Sequence, residues 1–466
     1  MKRHVVVVGA GVAGLAAAFE ASGGPTHDPH VSVEVIESSP TLGGALQTTT
    51  FGGRSMDLGA DGFLATRNEG QTLLRDLGAE HHLRPIAAQG AWIYLGGQLV
   101  KIPHGLVLGV PTRWSQTRSM PYLSRRAKYA AWRDLVAPRR LTIDGDTTIG
   151  HILRTKFNDA LVNELIEPMI GGIQAGRVDE LSARDVFPAL LAAARKGGSL
   201  QRAIRPPVST GSRGPLFFTL EAGMGSLPQL LAEELRSRGV TFRLGSPVTG
   251  LQRGMSRRWS VLTDTSASDA DAVVMSAPVA ATFQILRDVT EAVAPLASVR
   301  SAGAAMVTFC VPYGEVDLPA DGTGVLVPLQ TKFREGDDSL IVTAITLLDR
   351  KWTHLNNGET HLIRVHTGRI DDRRTQGLSD AELETRVRRE LVQILGRFPS
   401  QGEAVVQRWP NALPQYEPGH SSMIEHMRRE LAAEQLFMAG MLCDGVGVPA
   451  SIGSGRAAGE AARLSL

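Results

Sequence analysis

The sequence predicts an α/β fold: a largely parallel, helix-flanked sheet assembled from separated stretches of chain, a second domain on a mixed sheet, and a helical, basic insert. Three observations predict it. An apolar run, Val5 to Val8, leads at once into a glycine-rich turn and a helical stretch, the pattern of a strand buried on both faces that feeds a helix. Strand and helix patterns then alternate over 466 residues, a length that suits two or three packed units better than one core. Between Arg113 and Arg213 the apolar spacing is three and four, as in "RAKYAAWRDLV" and "SARDVFPALLAAARKG", which is helical.

The N-terminal element carries the most specific chemistry. Gly9, Gly11 and Gly14 stand in GxGxxG spacing, with Ala10, Val12 and Ala13 completing the loop, and Leu15 to Ala21 read as a helix. Gly9 permits a tight turn, Gly11 lets backbone approach a pyrophosphate, and Gly14 lets the helix pack on the strand with its N-terminus toward the phosphates. The next strand, "VSVEVIE", ends in Glu37, where a carboxylate can accept both hydroxyls of a ribose. Strand, loop, helix, strand and terminal acid in this order predict a Rossmann-like dinucleotide domain.

A hairpin is expected at "AWIYLGGQLV", turning at Gly96-Gly97. The Gly-, Pro- and Arg-rich stretch 196–215 reads as a mobile loop. A helix from Leu227 to Arg238 leads into a strand, "VTFRLGSPVTGLQ", and "DADAVVMSAP" adds another buried strand. "AAMVTFCV" and "SLIVTAITLL" read as strands of a second sheet, and "RWPNALPQYEPGH" as the return to the first domain. The expected boundaries are 1–75, 216–278 and 401–466 for the dinucleotide domain, 76–112 and 279–400 for the substrate-binding domain, and 113–215 for the helical insert.

Bulk numbers bound the partners. Net charge is +2, so the whole chain carries no nucleic-acid signal. Residues 113 to 213 hold 17 Lys+Arg against 9 Asp+Glu, a local +8 that leaves −6 for the rest. Such a segment suits a polyanionic ligand, a membrane surface or bulk water. Cys310 and Cys443 are the two cysteines, too few for a disulfide framework, and no His/Cys spacing suggests a metal. "MKRH" runs directly into a strand, and no apolar run approaches the ~20 residues of a membrane span. A cytoplasmic setting is expected.

Residues after Glu37 resemble FAD enzymes of the amine-oxidase and phytoene-desaturase group. Ser38 follows the acid; Gly43-Gly44, then Ala45 where Arg is frequent, resemble the group's second glycine pair; and Gly59, Ala60, Asp61 and Gly62 within "DLGADGF" resemble its next flavin-contacting turn. Val248 matches a valine whose backbone meets the adenine. Four longer stretches resemble the protoporphyrinogen oxidase/coproporphyrinogen III oxidase family of haem biosynthesis: residues 171–190 (with Arg177 in place of the usual acid or amide), 218–231, 408–420, and 445–458 (with Ala450-Ser451 where Asp-Cys is common).

The resemblance implies a Rossmann-like FAD-binding domain of the amine-oxidase/protoporphyrinogen-oxidase type. It implies that Trp409, Val446, Gly447 and Val448 touch the flavin, and that Gly172 offers its carbonyl to the N–H groups of a porphyrinogen. The last helix is expected to start at "IGSGRAAGEAA", its positive end toward the flavin. The implied reaction removes six electrons from coproporphyrinogen III in three hydride transfers to the flavin, each followed by reoxidation with O2 to H2O2, with no catalytic side chain. Val107 stands where some protoporphyrinogen oxidases have an Arg, and the +8 segment suits four propionates, so coproporphyrinogen is favoured over protoporphyrinogen IX. Handover of product to a ferrochelatase and peripheral membrane contact are expected partners of the pathway position. The rival readings are an amine oxidase, a phytoene-desaturase-like enzyme, and a non-enzymatic binding protein on the same fold. The terminal loop, 445–455, lacks the aromatic residue amine oxidases place there.

Overall fold

The computed structural model describes residues 2–121, 123–206, 214–254, 259–336 and 338–466. The chain forms two compact units: Met1–Pro85 with Gly214–Val299 and Ser421–Leu466, and Ile86–Arg213 with Arg300–His420.

The first unit is built on a five-stranded parallel sheet. Its spatial order is Thr241–Arg243, Val31–Ile36, Arg3–Val8, Ala272–Met275, Leu436–Met438. Val5–Val8 sits in the centre, which accounts for its unbroken β-branched run. Val5 and Val7 face one apolar cluster, with helices Val12–Ala21, Ser226–Ser237 and Val448–Leu464. Val6 and Val8 face another, with helices Val279–Leu286 and His420–Ala433.

The second unit holds a seven-stranded mixed sheet in the order Ala404–Pro414, Ser301–Pro312, Thr360–Thr367, Val342–Leu347, Gly324–Leu326, Trp92–Leu95, Gln98–Lys101. Helix Asp380–Leu395 covers one face. The helical segment covers the other, packing on Ile93, Leu95 and Val100. The hairpin turns at Gly96 and Gly97, both at positive φ (62° and 81°), as a two-residue turn between right-twisted strands requires.

Several boundaries differ from the sequence reading. The stretch 401–420 stays in the second unit, because residues 404–414 complete their backbone ladder on Ser301–Pro312. Residues 279–299 belong to the first unit, their helix lying against the parallel sheet. So do residues 76–85, where Leu83–Pro85 pairs with Phe217–Leu220. The expected single strand near 248 is two. Thr241–Arg243 joins the parallel sheet, and Val248–Arg253 starts a separate antiparallel one; Gly245 (φ 60°) and Pro247 break the run. In the expected loop 196–215, Leu200–Ala203 is helical, held by buried Asp134, which accepts from Ser199 Oγ, Leu200 N and Gln201 N; residues 207–213 of that stretch lie outside the described residues. The last helix begins at Val448, ahead of the expected start, with Gly447 at its N-cap and Pro449 in its first turn. Proline is pre-organised there rather than disruptive. Among the described residues, no helix is long and apolar enough to cross a membrane.

Candidate functional site

The glycine loop of the first unit has the geometry of a phosphate cradle. Gly9 is at φ 102°, and a Cβ at Gly14 would lie 1.9 Å from the Gly9 carbonyl oxygen. Side chains at either position are therefore excluded. Around Gly11 a Cβ would meet nothing within 4 Å, so the space in front of the helix is open. Helix Val12–Ala21 has no side-chain cap, which leaves first-turn N–H groups to an anion. A pyrophosphate fits this cradle.

Glu37 stands beside it. One carboxylate oxygen accepts from Ala10 N at 2.7 Å, the other from Ser39 N at 2.7 Å and Ser38 Oγ at 3.1 Å. A carboxylate has about four acceptor positions, so capacity for a ribose hydroxyl remains. Ser246 N donates to Glu37 O at 2.8 Å, and Gly245 N to Ser39 O at 2.9 Å. These bonds bring the turn that precedes Val248 to the same acid.

The second glycine pair abuts the first loop. Gly43 N donates to Ala10 O at 2.9 Å, and a Cβ at Gly44 would lie 3.3 Å from Gly11 Cα. Ala45 is half-buried next to them; Gly59 is buried, Asp61 and Gly62 half-buried, and Ala60 exposed.

A support missed by the sequence reading ties this side together. Asp57 Oδ1 accepts from Thr48 Oγ1 at 2.5 Å and from Met224 N at 2.8 Å, while Thr48 Oγ1 accepts from Gly225 N at 2.9 Å. The stretch 218–231 is thereby fastened to the turn holding Gly59 to Gly62. The signal was an acid directly before that turn.

The C-terminal glycines divide into two jobs. Gly445 (φ 122°) and Gly447 (φ 108°) shape the loop that carries Val446 and opens helix Val448–Leu464. Gly455 and Gly459 instead let that helix touch helix Val12–Ala21: a Cβ at each would lie 2.1 Å from the carbonyl oxygens of Ala13 and Ala17. Gly440 N donates to Ser454 Oγ at 2.8 Å, and Arg428 pairs with Asp444 through two bonds of 2.8 and 2.6 Å. The loop is rigidly framed. Burial pushes the neighbouring Cys443 thiol up to about 11, so it is protonated at neutral pH.

Two predicted residues lie in the second unit. Trp409 is half-buried on the edge strand, opposite Ala304, and is not part of the unit that holds the glycine loops. Gly172 is exposed near the end of helix Glu167–Gln174. A Cβ there would meet only Leu326 Cδ2, at 3.7 Å. Pro168 lacks an N–H, and a π-helical turn, Val162–Ile166, directly precedes this helix; such turns recur at functional sites. Arg177 lies 3.2 Å from Glu167 and 2.7 Å from Asp371. Burial pushes the Glu167 carboxyl above its ordinary range, against the pull of Arg369 and Arg177.

The family model described as flavin containing amine oxidoreductase matches residues 12–463. Coproporphyrinogen III oxidase of Bacillus subtilis (strain 168) is 31% identical over 468 residues, covering 98% of this chain and 97% of that protein. Protoporphyrinogen oxidase of Bos taurus is 28% identical, covering 98% of both. A crystal structure of an Exiguobacterium sp. 255-15 protein superposes with a TM-score of 0.88 at 29% identity, over the full length of both chains.

Proposed function

The chain belongs to the flavin-containing amine oxidoreductase family, within its protoporphyrinogen/coproporphyrinogen oxidase group, and we propose from that membership that it oxidises coproporphyrinogen III to coproporphyrin III. It is an FAD-dependent oxidoreductase. The proposed reaction takes six hydrogens from the macrocycle and gives them to three O2, forming three H2O2. Bound FAD supplies the hydride acceptor and its reoxidation by O2.

The chain's own groups bind and aim. Gly9, Ala10, Gly11, Val12, Ala13 and Gly14 hold the pyrophosphate. Glu37 and Ser38 take the ribose, and Val248 the adenine. Gly43, Gly44, Ala45 and Gly59 to Gly62 would line the middle of the cofactor, and Val446, Gly447 and Val448 would attend the ring system. The observation that carries the substrate reading is Gly172, an exposed glycine at a helix end whose carbonyl no described donor reaches. Such an oxygen can accept pyrrole N–H groups. The positive excess of residues 113–213 supports a tetracarboxylate over a dicarboxylate.

The test is absorbance of the purified protein with coproporphyrinogen III and protoporphyrinogen IX in parallel, first under nitrogen, then in air. Flavin bleaching followed by porphyrin fluorescence, with much higher kcat/KM for the tetracarboxylate, is expected. Equal or reversed rates would move the assignment to protoporphyrinogen oxidase. A yellow protein bleached by neither would overturn the porphyrinogen reading.

A second feature supports peripheral contact with an anionic membrane. Helix Arg125–Val136 turns Tyr129, Trp132 and Val136 outward, 57%, 44% and 57% exposed, and Arg125, Arg126, Arg139 and Arg140 are exposed around them. Aromatic and basic groups together suit a headgroup layer. Flotation with phosphatidylglycerol vesicles, lost in Trp132→Glu, tests it; equal flotation by that variant would refute it. Product passing to a ferrochelatase fits the pathway position.

A further inference from the structure

We propose that Gln415 and Arg369 are positioning residues that aim the Gly172 carbonyl, a proposal that rests on the substrate reading above. Helix Glu167–Gln174 does not close on itself in the usual way. Ala175 is left-handed (φ 48°), and in the common closure of such an end its N–H would take the Gly172 carbonyl. No such bond is present among the described residues.

Three successive carbonyls just beyond are taken from outside instead. Gln174 O accepts from Gln415 Nε2 at 3.0 Å, Ala175 O from Ile370 N at 2.9 Å, and Gly176 O from Arg369 Nη2 at 2.9 Å. Gln415 and Arg369 are each 4% exposed. The chain past the helix is thus pinned to two other stretches, and the Gly172 oxygen is left open. Carbonyls of a last turn point along the helix axis. Fixing residues 174–176 therefore fixes what stands before Gly172 and keeps the following N–H groups from closing on it.

The neighbouring glycines follow from the same device. A Cβ at Gly176 would lie 2.1 Å from Gln415 Oε1, and one at Gly171 would lie 3.0 Å from Arg369 Nη1. Arg369 is held in turn by Glu167 at 3.3 Å and Asp371 at 3.4 Å, and Arg177 bridges the same two acids. Arg177, the departure from the family pattern, balances that pair of carboxylates.

Gln415→Met removes the donor at nearly constant volume and is the primary test; Arg369→Met and Arg369→Lys are the companions. The expected result with coproporphyrinogen III under nitrogen is a flavin bleaching rate reduced about tenfold or more in Gln415→Met. KM should change much less, and flavin content should match wild type. Arg369→Lys, which keeps a charged donor, should retain more rate than Arg369→Met. A merely structural role would lower melting temperature and flavin content and leave the rate per bound flavin unchanged. An unchanged rate per bound flavin in Gln415→Met, with wild type active, overturns the positioning role alone. A wild type bleached by neither porphyrinogen overturns the substrate reading and this proposal with it.

Discussion

Substituting Gly455 by alanine should loosen the cofactor cradle from behind. The new Cβ would sit 2.1 Å from Ala13 O, 2.9 Å from Ala13 C and 3.1 Å from Ala13 Cα. All three are backbone atoms, so no side chain can swing away. The helices must part by roughly 1 Å to reach even a tight carbon–oxygen contact. Overpacking of this kind costs about 1–3 kcal/mol, and rigid backbone on both sides places it near the top. Alanine's better helix propensity offsets about 1 kcal/mol. The net, about 2 kcal/mol, should lower the melting temperature of the unit by roughly 4–8 °C. Ala13 lies in the first turn of the helix that faces the pyrophosphate, so FAD affinity of the apoprotein should fall as well, by about tenfold. Thermal melts with and without FAD, and a fluorescence titration of apoprotein with FAD, measure both. Adding Gly459→Ala should cost less than its effect alone, because helices already parted have room for it. Wild-type melting and wild-type FAD affinity in Gly455→Ala would refute the argument that this crossing sets the cradle.

Glu37→Gln replaces a carboxylate bonded by Ala10 N and Ser39 N; charge-assisted bonds are worth about 1.5–3 kcal/mol, so the FAD Kd from titration should rise roughly 10- to 100-fold. Gly172→Ala keeps the carbonyl and should fold and bind FAD normally, since its Cβ has room, but the added methyl beside that oxygen should lower turnover of coproporphyrinogen III; full turnover would argue against a macrocycle seated on this helix end. The Glu34 carboxyl is held below its ordinary range by His4, 3.7 Å away, against burial, with Ser268 and Arg243 adding to the shift. Its stabilisation is present above pH 4.5 and lost as pH falls through the lowered value. Melts of Glu34→Gln should therefore show a deficit at pH 7 that disappears in acid. Cys443, with its thiol near 11, should resist a thiol reagent at pH 8 until the protein is unfolded, and rapid labelling of the folded protein at that residue would contradict its burial.

What the sequence reveals here is what is local. The first strand, the glycine loop and Glu37 are legible because each constraint acts within one βα unit. The hairpin at Gly96-Gly97 is legible because positive φ at two adjacent positions selects glycine. The placement of 404–414 is not, since its partner strand lies about a hundred residues earlier and nothing in the run itself names that partner. The start of the last helix is obscured because Gly447 and Pro449 read as loop residues when they are a cap and a first-turn proline. Gly455 and Gly459 look like binding-loop glycines, although their purpose is contact between helices from opposite ends of the chain. Arg369 leaves no pattern, and Gln415, although inside the stretch 408–420, shows no sign of its partner: each acts on a carbonyl far away in sequence.

The meeting of helices Val12–Ala21 and Val448–Leu464 also sets a timetable. During synthesis the glycine loop emerges early, but the helix that braces it follows more than four hundred residues later. At ribosomal speeds of about 5–20 residues per second, that gap is roughly 20 to 90 s. The edge strand Leu436–Met438 is equally late to join Ala272–Met275. The nascent chain therefore carries an unbraced half-cradle throughout that interval, and cofactor loading should wait for the last helix to emerge. Chains arrested before residue 436 should fail to retain FAD on a spin column, and retention by such chains would show that the early segments suffice.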